Sequence, residues 1–458
     1  MSESGRDHLT GLRVPGPRLS ELYERERKVF GSVFRVRFFP TVVERARAST
    51  VWDVEGSEYL DFSGGAAVAN VGHCHPRIVG AAAEQLSKVI HSLTVVFPSL
   101  PSLDLAEKLC QITPGQFEKK VWFGSSGSDA AECVYDFLPA ATGRRRIISF
   151  FGSHHGLTVG ANFLSGHKVS GRYLQSPTVV KVPYPYCYRC PFRTGQECCN
   201  YCVDFIEEQV FPNICPAEDT ACILLEPLES LAGEIVPPDS FLPDLKGLCD
   251  RHGILLVDDE VKTGFGRTGK LFAIEHWGVV PDALVMGKAI AGGLPLSAFV
   301  GRKEVLDAEP FSHTTAAGGN PVSCAAALAT LDVIRGEGLV ENAERQGEYL
   351  KKRLVEMQEI HSLIGDVRGK GLMIGVELVR SRETKEPAGK EAFKVSYRAW
   401  QRGMLVIPVG TFSNVIEITP PLVITREEVD RGLEIFEESL RDVEQGKIPD
   451  SVLDFKSW

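Results

Sequence analysis

The sequence predicts an α/β protein, with a mostly parallel sheet flanked by helices on both faces and a smaller α+β lobe beside it. Two observations carry this. Between residues 100 and 300, short apolar runs alternate with helical patterns, as in successive strand–helix–strand units. Beyond residue 336, strands and helices follow one another less regularly, as in an α+β lobe. The 458 residues are too many for one small core. They divide into an N-terminal arm with part of the smaller lobe (1–60), a large domain (61–335) and the rest of the smaller lobe (336–458).

Bulk composition bounds the class. With 43% hydrophobic and 24% charged residues, the chain reads as a soluble globular protein. A net charge of -10 argues against nucleic acid or anionic membrane as partners. No apolar stretch approaches the roughly 20 residues needed to span a bilayer. The N-terminus lacks the apolar core of a signal peptide, so a cytoplasmic location is expected. Seven of the twelve cysteines are scattered singly and read as buried thiols.

In chain order, residues 1–20 carry Gly, Pro and mixed charge without periodicity and predict a loose or partner-draped arm. Arg35 to Asp61 alternates, with Trp52-Asp-Val-Glu-Gly56 as a hairpin turn. Small residues from Phe62 lead to Gly72-His-Cys-His-Pro76. His73 and His75 lack a nearby third ligand, which favours a helix-entry turn closed by Pro76 over a metal. Val121-Trp-Phe123 is a strand running into Gly124-Ser-Ser-Gly-Ser128, with a helix opening at Ala130. N–H groups and hydroxyls at a helix start make an anion site. Arg146 to Phe151 is a further strand, ending at Gly152-Ser-His154-His-Gly156, where a flat side chain suits stacking on a planar ring.

Two Cys-x-x-Cys pairs follow, Cys187/Cys190 and Cys199/Cys202, with Cys198 adjoining. In a cytosolic chain this spacing suggests zinc. Partly buried thiols in an irregular loop, or a disulfide, are the alternatives, and nothing places the cluster at the chemistry. Ala221 to Leu225 is a strand ending at Glu226; Pro243 to Arg251 is helical; Ile254 to Val257 is a strand ending in three acids; Ala283 to Met286 is a strand ending at Gly287-Lys288. Gly301 to Glu309 is a charged helix or connection, and a polar loop through Thr315 feeds a small-residue helix, Val322 to Ile334. A long helix runs from Gly336 to about His361. Gly365 to Val379 alternates as a strand, Leu405–Val409 and Val415–Ile418 read as partner strands, and Thr425 caps the last helix.

Ser126, His154, Glu226, Asp259 and Lys288 therefore all fall at strand C-terminal ends, where open α/β sheets collect functional groups. A lysine amine forms a Schiff base with an aldehyde, and a carboxylate holds a pyridinium nitrogen protonated. Delivered from two buried strands, Lys288 and Asp259 are the protein half of a pyridoxal phosphate site.

From about Phe39 to Leu440 the chain resembles the class III (subgroup II) pyridoxal-phosphate aminotransferases of the ornithine and 4-aminobutyrate type. The resemblance rests on Gly124-Ser-Ser-Gly-Ser-Asp-Ala, His154-His-Gly, Asp259-Glu-Val-Lys-Thr-Gly-Phe-Gly-Arg-Thr-Gly269, Gly287-Lys-Ala, Gly319-Asn-Pro, Arg368-Gly-Lys-Gly-Leu and Pro420-Pro-Leu. It implies fold type I, with a seven-stranded sheet, and pyridoxal 5′-phosphate bound by Ser126, Gly127, Ser128, His154, Glu226, Asp259, Val261, Lys262, Lys288 and Thr315. Lys288 would carry the cofactor and shuttle protons. Asp259 would pair with the ring nitrogen, Val261 and His154 would cover the two ring faces, and Gly127 and Ser128 would hold the phosphate. A loop threonine reaching the partner's phosphate implies a homodimer with shared sites; whether dimers pair into tetramers stays open.

The chain departs from the family at four positions. Lys262 replaces a glutamine that bonds the cofactor's phenolic oxygen, and a lysine still donates there. His154 stands where Tyr or Phe is commoner. Thr315 is one residue out of register, with Ala316 at the usual threonine position. Glu417 replaces an arginine that clamps a substrate carboxylate, which glutamate cannot do. The resemblance implies a transaminase working by a ping-pong cycle between a 2-oxo acid and an ω-amino acid, diamine or related primary amine. The departure at Glu417 adds the hypothesis that it receives the distal ammonium of a cationic substrate. An amino-acid racemase or epimerase, or a decarboxylating transaminase, is the alternative on the same fold.

Overall fold

The computed structural model describes residues 12–34, 36–169, 175–192 and 201–455. Residues 1–11, Arg35, Cys198 and Cys199 therefore lie outside it. The chain forms two compact units, one of residues 76–341, the other of the described residues up to His75 and from Asn342 onward.

The larger unit is built on seven strands: β1 (Lys119–Gly124), β2 (Arg146–Phe150), β3 (Val179–Val182), β4 (Thr220–Leu225), β5 (Leu255–Asp259), β6 (Ala283–Met286) and β7 (Ser297–Arg302). Their order across the sheet is β1-β7-β6-β5-β4-β2-β3. Neighbours from β6 through β3 pair in parallel, and β7 alone is reversed, antiparallel to both β1 and β6. Strands β4 and β6 are buried at every position, as expected for strands covered on both faces. Helices α1 (Pro76–Leu86), α2 (Leu100–Ile112), α3 (Gly127–Asp136), α4 (Phe241–His252) and α5 (Pro321–Gly336) belong to this unit. Ala130, Ala131, Cys133 and Val134 of α3 pack with Ile147, Leu224, Val257, Val285 and Phe299 in one core cluster. Burial of each large aliphatic side chain there contributes roughly 1.5–3 kcal/mol.

The smaller unit holds a four-stranded sheet of Val43–Arg47, Thr50–Asp53, Glu58–Asp61 and Met404–Leu405. Its five-stranded sheet is built from Ile364–Lys370, Met373–Ser381, Val415–Ile418 and Ile407–Val409, with Glu386–Pro387 paired to the second of these. Thr425 caps the helix Arg426–Glu444 in a capping box with Glu428.

Four expectations are corrected. Residues 17–20 are not a loose arm: a helix runs Pro17–Val29, and buried Arg13 donates through Nη2 to the Glu58 carbonyl at 2.7 Å. The alternation from Gly365 to Val379 is two antiparallel strands, turned at Gly371, whose φ of 53° suits glycine. Leu405–Val409 is broken at Val406 between two short strands. The helix expected at Ala130 begins at Gly127, because Ser126 and Asp129 form a capping box there.

The boundaries between units also fall later than residues 60 and 335. The Phe62 amide donates to Leu405 O (2.9 Å), the Thr419 amide donates to Phe62 O (2.8 Å), and His73 bridges Ala48, so this stretch belongs with the smaller unit.

Candidate active site

The site is assembled by register. Asp259 is opposite Val285, and Leu225 is opposite Asp258, so Glu226 leaves β4 level with Asp259, and Lys288 follows the end of β6 three residues past Val285. The same edge of the sheet receives Gly124–Ser128 after β1 and Gly152–Gly156 after β2. The reversed β7 joins β1 to β6 with Ser297 opposite Gly124, which sets the start of α3 near the Lys288 turn. Contact there is close. A Cβ on Gly127 would lie 2.8 Å from Val261 Cγ1, and one on Gly287 would lie 3.2 Å from Gly127 Cα. Only glycines let these three segments meet.

Asp259 is buried and doubly bonded. The Val261 amide donates to its Oδ1 at 3.0 Å, and His155 Nδ1 lies 2.6 Å from its Oδ2. With Nδ1 carrying the proton, the imidazole donates to the carboxylate. Lys288 is partly exposed and has a φ of 44°, a left-handed backbone for a non-glycine residue right after a fully buried strand. Such local strain persists only where the surroundings enforce it.

His154 is held by its main chain: its amide donates to Glu226 Oε1 at 2.8 Å. The other oxygen of Glu226 accepts from the Ser230 hydroxyl at 2.7 Å and amide at 3.2 Å. Burial, then the nearby Asp259 charge, pushes the Glu226 carboxyl up. Burial first, then electrostatic interaction with Lys288, His155, His167 and Lys262, pushes the His154 imidazole down to about 3. It is neutral at physiological pH, and a neutral ring suits a stacking role. Lys262, expected to donate to the cofactor, gives an Nζ hydrogen bond of 2.6 Å to Glu234, both side chains being buried.

At the start of α3, Asp129 Oδ2 takes the amides of Ser125 (2.9 Å) and Ser126 (3.1 Å), and Ser126 Oγ takes the Asp129 amide (3.3 Å). Ser126 is thus a helix cap. The first helical N–H groups, those of Gly127 and Ser128, have no intrahelical acceptor and suit an anion. Ser128 Oγ accepts from the Leu157 amide at 3.2 Å, and Gly156 allows the chain to pass it.

Thr315 is partly exposed in the loop before α5, its carbonyl accepting from the Gly318 amide at 3.4 Å. In the smaller unit Glu417 is buried opposite Gly375, with Oε1 accepting from the Thr419 hydroxyl at 3.1 Å. His73 is a carboxylate partner, 2.8 Å from Asp61. Cys187 and Cys190 are half-buried and Cys202 is buried, and among the described residues no cluster of three or more side chains could hold a metal. Sequence reasoning missed His155 and Glu234. A second histidine beside His154 was the visible signal for the first; the second had none beyond a charge next to Gly233.

A strand-end lysine, a buried carboxylate with a histidine behind it and amides at a helix start suit an aldehyde, a pyridine nitrogen and a phosphate respectively. Fold and site together define a pyridoxal-phosphate-dependent enzyme.

The class-III aminotransferase family model matches residues 33–440. A leucine/methionine racemase of Thermococcus litoralis is 44% identical over 96% of this chain and 99% of its own. A 5-aminovalerate aminotransferase of Pseudomonas aeruginosa is 40% identical over 87% of this chain and 93% of its own. Among solved structures, a PLP-bound amine transaminase from an uncultivated Pseudomonas species superposes with a TM-score of 0.82 at 32% identity, covering 88% of this chain and 95% of that one. The chain belongs to the class-III aminotransferases. It is an enzyme of fold type I, and its cofactor is pyridoxal 5′-phosphate.

Proposed function

We propose that this enzyme is a transaminase that moves an amino group from an ω-amino acid, diamine or related primary amine to a 2-oxo acid by a ping-pong cycle. The observation that carries this reading is the pairing of Lys288 and Asp259 at adjacent strand ends, with His155 bonded to Asp259. When bound, pyridoxal phosphate supplies an aldehyde for amines and a ring that withdraws electrons from the substrate's α-carbon.

In this reading Lys288 holds the cofactor and then moves a proton at the substrate carbon. Asp259 keeps a proton on the ring nitrogen, and His155 holds Asp259 in orientation. Val261 and the neutral His154 cover the ring faces, and Glu226 fixes His154 through its main chain. Gly127 and Ser128 hold the phosphate at the start of α3, and Lys262 bears on the ring from the side of Glu234. Glu417 is assigned to substrate recognition by its charge, favouring a cationic distal group over a carboxylate.

A homodimer with shared sites, Thr315 serving the partner, belongs to the same proposal. Its support is a run of exposed apolar side chains in the larger unit, Ile90 (60%), Phe97 (67%) and Leu100 (76%), an area that suits a second copy. A cytoplasmic location also belongs to it, supported by free thiols such as Cys133, Cys222, Cys249 and Cys324 in the core. Among the described residues no helix is long and apolar enough to cross a membrane.

Racemisation or epimerisation of an amino acid is the second reading, favoured by the 44% identity to a racemase over nearly the whole of both chains. The test is to supply single-enantiomer amino acids and ω-amines to the holoenzyme, with and without 2-oxoglutarate or pyruvate. Transamination predicts stoichiometric keto product and an accumulating amine form of the cofactor. Loss of optical rotation with no acceptor and no keto product contradicts it and establishes the second reading.

A further inference from the structure

A lysine occupies the position after Val261, and it is buried against an equally buried glutamate from a separate loop. Lys262 is 7% exposed and Glu234 fully enclosed, with 2.6 Å between Nζ and Oε1. Burying an ion pair costs several kcal/mol per ion, which the mutual attraction repays only in good geometry. The backbone bends to provide that geometry. Glu234 has a φ of 56°, which non-glycine residues rarely adopt, immediately after Gly233 at 122°. The Ser230 carbonyl receives both the Gly233 amide (2.9 Å) and the Glu234 amide (3.0 Å), and Ser230 is tied to Glu226. The loop that holds His154 through Glu226 therefore also presents Glu234 to Lys262.

We infer that the Lys262–Glu234 pair is a positioning device that keeps a fixed ammonium beside Lys288 and so sets how tightly Lys288, joined to the cofactor, holds its proton. The inference rests on the reading of Lys288 as the cofactor-bearing residue. The two segments meet: a Cβ on Gly287, next to Lys288, would lie 3.4 Å from Cγ1 of Val261, next to Lys262, and both lysines act on His154. The groups facing that neighbourhood are His154, neutral; His155, bonded to Asp259; His167, whose charge also bears on His154; Glu226, whose carboxyl is pushed up; and Asp259. Lys262 is thus the fixed cation, and Glu234 keeps it charged inside the protein. A positive charge held near Lys288 disfavours a second one on it. The negative charge of Glu234, further back, offsets part of that effect.

The charge on Lys262, rather than the tie between loops, is what the cofactor-bound lysine senses. The holoenzyme is titrated by absorbance, following the visible band of the protonated cofactor–lysine form against pH. Lys262→Gln raises the midpoint by about one pH unit, the size expected for removing one charge at short range in a protein interior. Glu234→Gln, which lets the buried Lys262 shed its proton, raises it too. Lys262→Arg, which keeps the charge, leaves it unchanged. Should Lys262→Gln not fold, the upward shift in Glu234→Gln and the unchanged Lys262→Arg midpoint still decide the matter. A downward shift in Lys262→Gln or Glu234→Gln, a shift in Lys262→Arg, or no shift in the charge-removing variants that bind cofactor overturns the inference. A parent enzyme with no pH-dependent cofactor band overturns the underlying assignment of Lys288 instead.

Discussion

His155 Nδ1 lies 2.6 Å from Asp259 Oδ2, both side chains buried, one in the turn after β2 and the other at the end of β5, with β4 between those strands. A carboxylate taken out of water needs donors, and Asp259 has the Val261 amide on one oxygen and His155 on the other. That fixes its plane and leaves lone pairs for a further donor. Removing the imidazole (His155→Ala) takes away a hydrogen bond to a charged group, worth about 1.5–3 kcal/mol. Turnover is expected to fall roughly 10–100-fold with the fold retained. Steady-state kinetics and circular dichroism check this, and Asp259→Asn falls further.

The meeting of Gly127, Val261 and Gly287 makes a steric prediction. Gly127→Ala puts a methyl 2.8 Å from Val261 Cγ1, where neither the start of α3 nor the chain beyond β5 has room to give. Overpacking of this kind costs about 1–3 kcal/mol. Cofactor affinity, measured by titrating the apoenzyme, should weaken by roughly one order of magnitude or more. Adding Val261→Ala should restore part of it.

Behind the site, Asp258 and Glu260 are wholly buried. Burial first, then mutual repulsion, pushes Asp258 well up; burial pushes Glu260 up to about 7, against hydrogen bonds from Thr263 and the Ile274 amide. A carboxyl that keeps its proton when folded and loses it near pH 4.3 when unfolded stabilises the native state less as pH rises through that interval. The stability is full below the unfolded value and lost on the way to about pH 7. Glu260→Gln, which cannot ionise, should gain on the parent in Tm between pH 5 and about 7.5. Parallel Tm–pH curves would show that the pair does not titrate there.

Much of this site is legible in the sequence, for a physical reason. Buried parallel strands read as short apolar runs, and a polar residue breaking such a run has to stand at its end. Asp259, Glu226 and Lys288 are found in this way, and β4, β5 and β6 lie where the runs do. Direction is another matter: the apolar run of β7 reads the same whether the strand is parallel or reversed, and its reversal is what brings Gly127 to Gly287. Nor does sequence tell His154 from His155. They are adjacent in an irregular turn with no period, and only the fold shows one tied to Glu226 by its main chain and the other to Asp259 by its ring. Glu234 and Lys262 belong to different loops, so nothing local announces their pairing. In the smaller unit, Gly365 to Val379 keeps one alternation across the turn at Gly371, since a tight hairpin preserves the inward–outward pattern.

Glu417 carries the substrate prediction. Its Oε1 accepts from the Thr419 hydroxyl, and it is a buried carboxylate where relatives carry an arginine. Glu417→Gln should raise KM selectively for diamines and basic amino acids, by roughly 10-fold for the loss of one charge-assisted hydrogen bond. Equal loss for uncharged amines in a donor panel would remove Glu417 from substrate recognition.

The assignment of Lys288 is tested most directly by reducing the holoenzyme with borohydride, digesting it and locating the pyridoxyl group by mass spectrometry. The label should sit on the peptide carrying Lys288, and Lys288→Ala should abolish it while the protein stays folded. A label on Lys262 or any other lysine, or no label in a protein that binds the cofactor, would contradict the account.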